Sequence, residues 1–261
     1  MINKTLLVVS DKFHHFATRK DVITISELYS LLNSEKIIFQ KLTKTLLIPG
    51  QGFSEESINN IKLLAHSSLN SAHFNFSMWN NMPKRASKQI THKYKNENIL
   101  ISEPQRQSND TFSMNILINE NCEMMQDHQT GLHVQGILLL EASRQGFLAI
   151  FEKFFSVESA GKLYFIFNSL HVNYNRFAFP LPATLAVSIR ELDLCNSKKQ
   201  RAVMDMRIMQ CGSSSASFSL DMTMMASTRI SSMESKLATQ SLNDHINYLL
   251  NEQVFNEVAN A

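Results

Sequence analysis

From Gly136 to Phe155 the chain reads GILLLEASRQGFLAIFEKFF, and this stretch limits the possible folds more than any other. A pair of charges, Glu141 and Arg144, sits between Ile137, Leu138, Leu139 and Leu140 on one side and Phe147, Leu148, Ile150 and Phe151 on the other. A helix that is apolar on nearly every face has to be enclosed by other elements rather than laid on a surface. Charges inside it are costly to bury unless they are paired or used. Three residues apart, Glu141 and Arg144 share a helix face and can pair. On an exposed helix such a pair is ordinary. Within this apolar run an exposed position is hard to reconcile with the neighbours, and a functional pair is the stronger reading.

The flanking sequence indicates what encloses the helix. ENILIS and TFSMNILINE read as strands around a polar turn, RQSND. After the helix come KLYFIFNSLHVNY, ATLAVSIRELDL, QRAVMDMRIMQ and SASFSLDMTMMAS, linked by LCNSKKQ, CGSSS and the pair Pro180 and Pro182. Two strands, one long helix, then four strands fit an α+β hotdog fold, a curved antiparallel sheet wrapped around a central helix. Such folds usually dimerise. Residues 1–88 read as a small α/β unit whose role is not legible, with strands at TLLVVS and TLLIPGQGF. Its helices are TISELYSLLNSEKI, capped by Thr24 or Ser26, and SEESINNIKLLAHSS, opened by Ser54. Residues 89–230 are then the hotdog domain and residues 231–261 a helical tail carrying SLNDHINYLLNEQVFNEV. Asn75 to Lys95, polar and weakly periodic, reads as the connector.

Composition narrows the function classes. Hydrophobic residues make up 44% of 261, enough for a proper core, and the net charge is +2. Lysines and arginines are scattered, without the basic stripe that nucleic-acid binding calls for. Cys122, Cys195 and Cys211 are odd in number and lack C-x-x-C spacing, which argues against a disulfide scaffold or a cysteine-built zinc site. No run approaches the roughly 18 apolar residues needed to span a bilayer. The apolar stretch in MINKTLLVVSDKFHH is too short for a signal peptide, so a soluble, cytoplasmic chain is expected.

Ahead of the helix lies HQTGLHVQG, with His128 and His133 beside Gly131 and Gly136. Glycines there let a backbone approach a ligand closely, and a helix start offers unpaired N–H groups that suit an oxyanion. A histidine there can move protons near neutral pH, or simply hydrogen-bond the loop. A zinc site is disfavoured, because no third ligand has a recognisable spacing. IPGQG, Ile48 to Gly52, reads as an ordinary tight turn, since neither a G-x-S-x-G elbow nor a dinucleotide fingerprint accompanies it.

HVQGILLLEASRQ resembles the hallmark of the A-factor biosynthesis hotdog family, H-V-P-G, a short apolar run, then E-A-x-R-Q. His133, Gly136, Glu141, Ala142, Arg144 and Gln145 fall in place, with Gln135 where the proline would be. THKYKNENILISEP is similar to that family's lead-in, and the likeness extends over residues Thr91 to Thr228. Better-known members carry two such domains; this chain has one, so a site between domains would come from a homodimer. The 3-hydroxyacyl-ACP dehydratases are a broader likeness, through His128, Gly131, Gly136, Glu141 and Gln145, from which Arg144 departs.

The resemblance implies an acyl-thioester enzyme that moves a β-ketoacyl group from acyl carrier protein to a hydroxyl of dihydroxyacetone phosphate, toward a signalling lactone. Glu141 would take the hydroxyl proton, and the Gly136 N–H would hold the oxyanion. Arg144 would pair with Glu141 or meet a phosphate, and His128 or His133 would position the carbonyl or shuttle a proton. Gly131 and Gln145 would line the substrate, and Arg176 is a further candidate for a phosphopantetheine or acceptor phosphate. No metal or cofactor is implied beyond the phosphopantetheine-borne acyl thioester. The partners implied are acyl carrier protein or acyl-CoA, a small hydroxylated acceptor and a second copy, with neither nucleic acid nor membrane. Two alternatives stay open: dehydratase or thioesterase chemistry through His128 and Glu141, and a non-catalytic acyl-binding or scaffolding module.

Overall fold

In the computed structural model, residues 4–34, 44–126, 130–156, 163–196 and 199–259 are described. The first unit comprises β1 (Lys4–Val9), α1 (His14–Ala17), β2 (Val22–Thr24), α2 (Ile25–Asn33), β3 (Thr45–Pro49), α3 (Glu55–Ser67) and β4 (Phe74–Asn75). All its strand pairs are parallel, in the order β2-β1-β3-β4. Its two longer helices, α2 and α3, start where short polar side chains can answer free N–H groups. Thr24 and Glu27 form a reciprocal capping box on α2, and Ser54 accepts from the Ser57 N–H on α3. Val8, Leu28, Leu47, Ile61 and Trp79 fill its core.

Asn75 to Lys95 is more than a connector. It carries α4 (Ser77–Asn80) and α5 (Lys88–Thr91), and Trp79 within it is completely buried. Beyond it, β5 (Gln105–Arg106), β6 (Thr111–Asn115), the central helix α6 (Gly136–Phe154), β7 (Leu163–Tyr174), β8 (Thr184–Asp193), β9 (Gln200–Gln210) and β10 (Ser213–Ala226) build the second unit. The six strands form one antiparallel sheet in the order β5-β6-β8-β9-β10-β7. The strand that follows the helix thus lies at the far edge. This is the hotdog fold. ENILIS differs from its expected strand: Ile99, Leu100 and Ile101 are buried, but the segment holds only isolated bridges, Arg85 to Ser102 and Ile101 to Ile116. α7 (Ser227–Ala259) continues directly from β10.

Leu138, Leu139, Ala142, Phe147, Ile150 and Phe151 pack α6 against sheet residues such as Phe112, Leu185, Met204 and Leu220. The enclosure is incomplete. Ile137 is 49% exposed, and Leu140, Glu141 and Arg144 are half-buried on the same open side.

Two side chains lock the units together. Gln51, in the IPGQG turn, donates to the Ile116 carbonyl at 3.0 Å and accepts from the Ile118 N–H at 2.9 Å, standing in for a strand partner. That turn occupies the carboxyl end of β1 and β3, the crevice where open α/β sheets commonly take ligands. Buried Arg85 pairs with Glu55 at 3.2 Å and donates to the carbonyls of Phe53, Ile99 and Leu117. Val9 and Phe13 from the first unit belong to the hotdog core. The turn read as ordinary is therefore a docking element.

Candidate active site

α6 begins at Gly136 with Gln135 as N-cap, and no side chain caps its first N–H groups. The chain enters through a short bridge, the Val134 N–H donating to the Ala178 carbonyl at 2.8 Å. A Cβ at Gly136 would lie 2.9 Å from the Tyr174 ring and push it aside, breaking the hydrogen bond its hydroxyl donates to the Gly136 carbonyl at 3.0 Å. Gly131 sits at φ +69°, a left-handed conformation that disfavours side chains, and its carbonyl accepts from the Phe16 N–H at 2.9 Å. The first unit thus holds the histidine loop. His133 bonds Thr130 through Nδ1 at 3.1 Å, and its ring lies 4.8 Å from that of Phe177. His128 lies outside the described residues.

One turn further on, the Glu141 carboxylate gathers four donors. Arg144 forks onto it, Nε to Oε2 at 2.7 Å and Nη2 to Oε1 at 2.9 Å. Gln145 donates to Oε1 at 3.0 Å, and Lys93 Nζ lies 2.6 Å from the same oxygen. Burial by itself pushes the Glu141 carboxyl up. The hydrogen bonds and charge of Arg144, with those from Lys93 and Gln145, outweigh it and hold the pKa at about 2. At neutral pH Glu141 is ionised, with three donors on Oε1 and one on Oε2.

Gln145 is fully buried and mostly committed to backbone, accepting from the Leu100 N–H at 2.9 Å and donating to the Asn98 carbonyl at 2.8 Å. Those bonds staple α6 to the Asn98–Leu100 segment and leave little for a substrate. Arg176 is exposed, and its hydrogen bond goes to the Gln210 carbonyl at 2.6 Å rather than to the Glu141 cluster.

Glu141, Arg144 and Gln145 therefore come together, while His133, Gly131 and Gly136 shape the helix entrance. Sequence reasoning missed Lys93 and Tyr174. Lys93 lies in the T-H-K stretch of the lead-in, whose His92 also bonds α6, Nε2 to Glu152 Oε1 at 2.8 Å. The usable signal was that α6 carries acidic residues at 141 and 152 and the lead-in carries neighbouring basic ones. Among the described residues, no three His, Cys, Asp or Glu are placed to hold a metal ion, and no helix is long and apolar enough to cross a membrane.

A curved sheet around one helix, with a paired carboxylate on the helix's open side, defines a hotdog protein. The model of the A-factor biosynthesis hotdog domain (AfsA) matches residues 77–226, and the chain belongs to that family. No curated protein matches it. Solved structures similar to it include a mutant thioesterase from Pseudomonas aeruginosa, at 16% identity over 48% of this chain and 81% of the other, TM-score 0.36. Another, from Shewanella oneidensis with a provisional thioesterase assignment, is 9% identical over 66% of this chain and 99% of the other, TM-score 0.37. Likenesses this distant say nothing about the reaction.

Proposed function

We propose that the chain is an acyltransferase acting on acyl thioesters, moving a β-ketoacyl group from acyl carrier protein or acyl-CoA to a hydroxyl of a small, phosphorylated acceptor. The observation that supports this reading is the half-buried Glu141 carboxylate, held by Arg144, Lys93 and Gln145 one turn from an uncapped helix start in the family's motif. In the reaction, the acceptor oxygen attacks the thioester carbonyl while Glu141 takes its proton. First-turn N–H groups near Gly136 hold the oxyanion of the tetrahedral intermediate. Collapse breaks the carbon–sulfur bond, and Glu141 returns the proton to the leaving thiolate. His133 positions the carbonyl.

A second copy completes the site. β7 is a 12-residue edge strand with Tyr164, Ile166, Phe167, Leu170 and Tyr174 exposed, and long apolar edges of this kind are normally covered. Tyr174 ties that edge to Gly136, so a partner strand on β7 reaches the helix entrance.

Mass spectrometry of the protein incubated with a β-ketoacyl carrier-protein thioester, with and without dihydroxyacetone phosphate, tests the reading. A new ester only when the acceptor is present, lost in Glu141→Gln with the fold intact, is the expected result. Free acid without acceptor, or loss of water from a 3-hydroxyacyl version, would replace it with hydrolysis or dehydration. Binding without any product would leave a scaffolding role.

A further inference from the structure

We propose that Lys93 and Arg144 form a receptor for a substrate phosphate and that Glu141 is the internal anion this phosphate displaces from Lys93. The inference rests on the acyl-transfer reading above for its substrate and on the cluster's own geometry for its residues.

Two cations converge on one carboxylate, so the cluster carries a surplus positive charge. Glu123, which also feels the Lys93 charge, is taken up by Lys95 at 2.5 Å and Asn98 at 2.7 Å. Donors outnumber acceptors on one oxygen: Glu141 Oε1 receives Lys93, Arg144 and Gln145, three donors for two lone pairs. Lys93 is the one of the three that is not on α6; it follows α5 and its left-handed C-cap, His92. Its side chain is 22% exposed, and that of Arg144 27%, against 13% for Glu141. Among the described residues Lys93 spends one N–H on Glu141, and Arg144 spends Nε and Nη2, leaving Nη1 and two ammonium hydrogens without a protein acceptor. A phosphate accepts from such a set, from the planar fork and the mobile ammonium together.

The displacement has a chemical consequence. Once Lys93 turns to the phosphate, Oε1 is relieved of its third donor, keeping Arg144 and Gln145, and the carboxylate loses one of the cations that depress its proton affinity. Glu141 then becomes a base only when a phosphate-bearing substrate is in place. The phosphate can be that of the acceptor or that of the phosphopantetheine arm, and the experiment separates the two.

The test is calorimetric titration of the full chain with dihydroxyacetone phosphate against dihydroxyacetone, and with 4′-phosphopantetheine against pantetheine. Tighter binding of the phosphorylated member is expected in at least one pair, and the pair that shows it names the source. Lys93→Met should weaken that binding by about tenfold or more, as loss of a charge-assisted hydrogen bond implies, while Lys93→Arg keeps most of it. Glu141→Gln should tighten it several-fold, because the competing anion is gone. Equal affinity within both pairs, an unchanged Lys93→Met, or weaker binding by a folded Glu141→Gln would overturn the proposal. If Glu141→Gln does not fold, the two Lys93 variants decide alone. These readouts need no turnover. Phosphate binding without acyl transfer would remove the proposed reaction and keep the receptor, and transfer indifferent to Lys93 would do the reverse.

Discussion

Glu141 sets the behaviour of the site at the scale of one residue. Its carboxyl is held at about 2 in the folded chain against an ordinary 4.5. A depressed pKa contributes stability that is present above the unfolded value and is lost as pH falls through the folded one. The wild-type thermal midpoint should therefore drop between pH 4.5 and 2, by an amount corresponding to at most ~3 kcal/mol. In Glu141→Gln that part of the pH dependence should flatten, and parallel pH profiles for the two proteins would refute the assignment. The sequence showed the Glu–Arg pair because both partners lie on one helix face. It hid Lys93 because its partner is distant in the chain and nothing periodic marks the segment between. Gln145 read as a substrate contact from its motif, whereas its amide is largely occupied by the Asn98 and Leu100 backbone.

Among the elements, β7 carries the clearest expectation. An edge strand this long with apolar side chains along it is expected to pair with a second copy, and a charge placed in it would oppose that pairing. Leu170→Lys should raise the dimer dissociation constant by about tenfold or more, as a desolvated, unpaired charge at an interface does. Sedimentation analysis of the two proteins checks this, and a wild type that stays monomeric at high concentration would rule it out. One helix followed by four strands was legible because those four strands are 10 to 14 residues long, and because only a wrapped sheet can enclose such a helix. Ile99–Ser102 was misread as a regular strand. Its apolar run is buried against α6 and Gln145, and burial alone produces the same pattern.

For the whole molecule, the junction decides how it unfolds. Arg85 is buried, with 8% of its side chain exposed, and binds Glu55 and three carbonyls drawn from both units. Arg85→Met would leave those groups unanswered, and urea titration should show a loss of about 3–5 kcal/mol, the cost typical of breaking a buried charged pair. Because Val9 and Phe13 sit in the hotdog core, wild type should lose both units in one cooperative transition, and a biphasic curve would contradict the shared core. Sequence patterning could not show how closely the two units join, since Gln51 and Arg85 act through carbonyls that leave no mark in the alternation of side chains. The filled crevice at the end of β1 and β3 also bears on inheritance. A hotdog piece cut free of residues 1–88 would carry the Ile116 and Ile118 backbones unanswered and its histidine loop without the Phe16 N–H. The two units are therefore expected to travel through gene fusions and recombination as a single cassette, with junctions tolerated along α7 rather than between them.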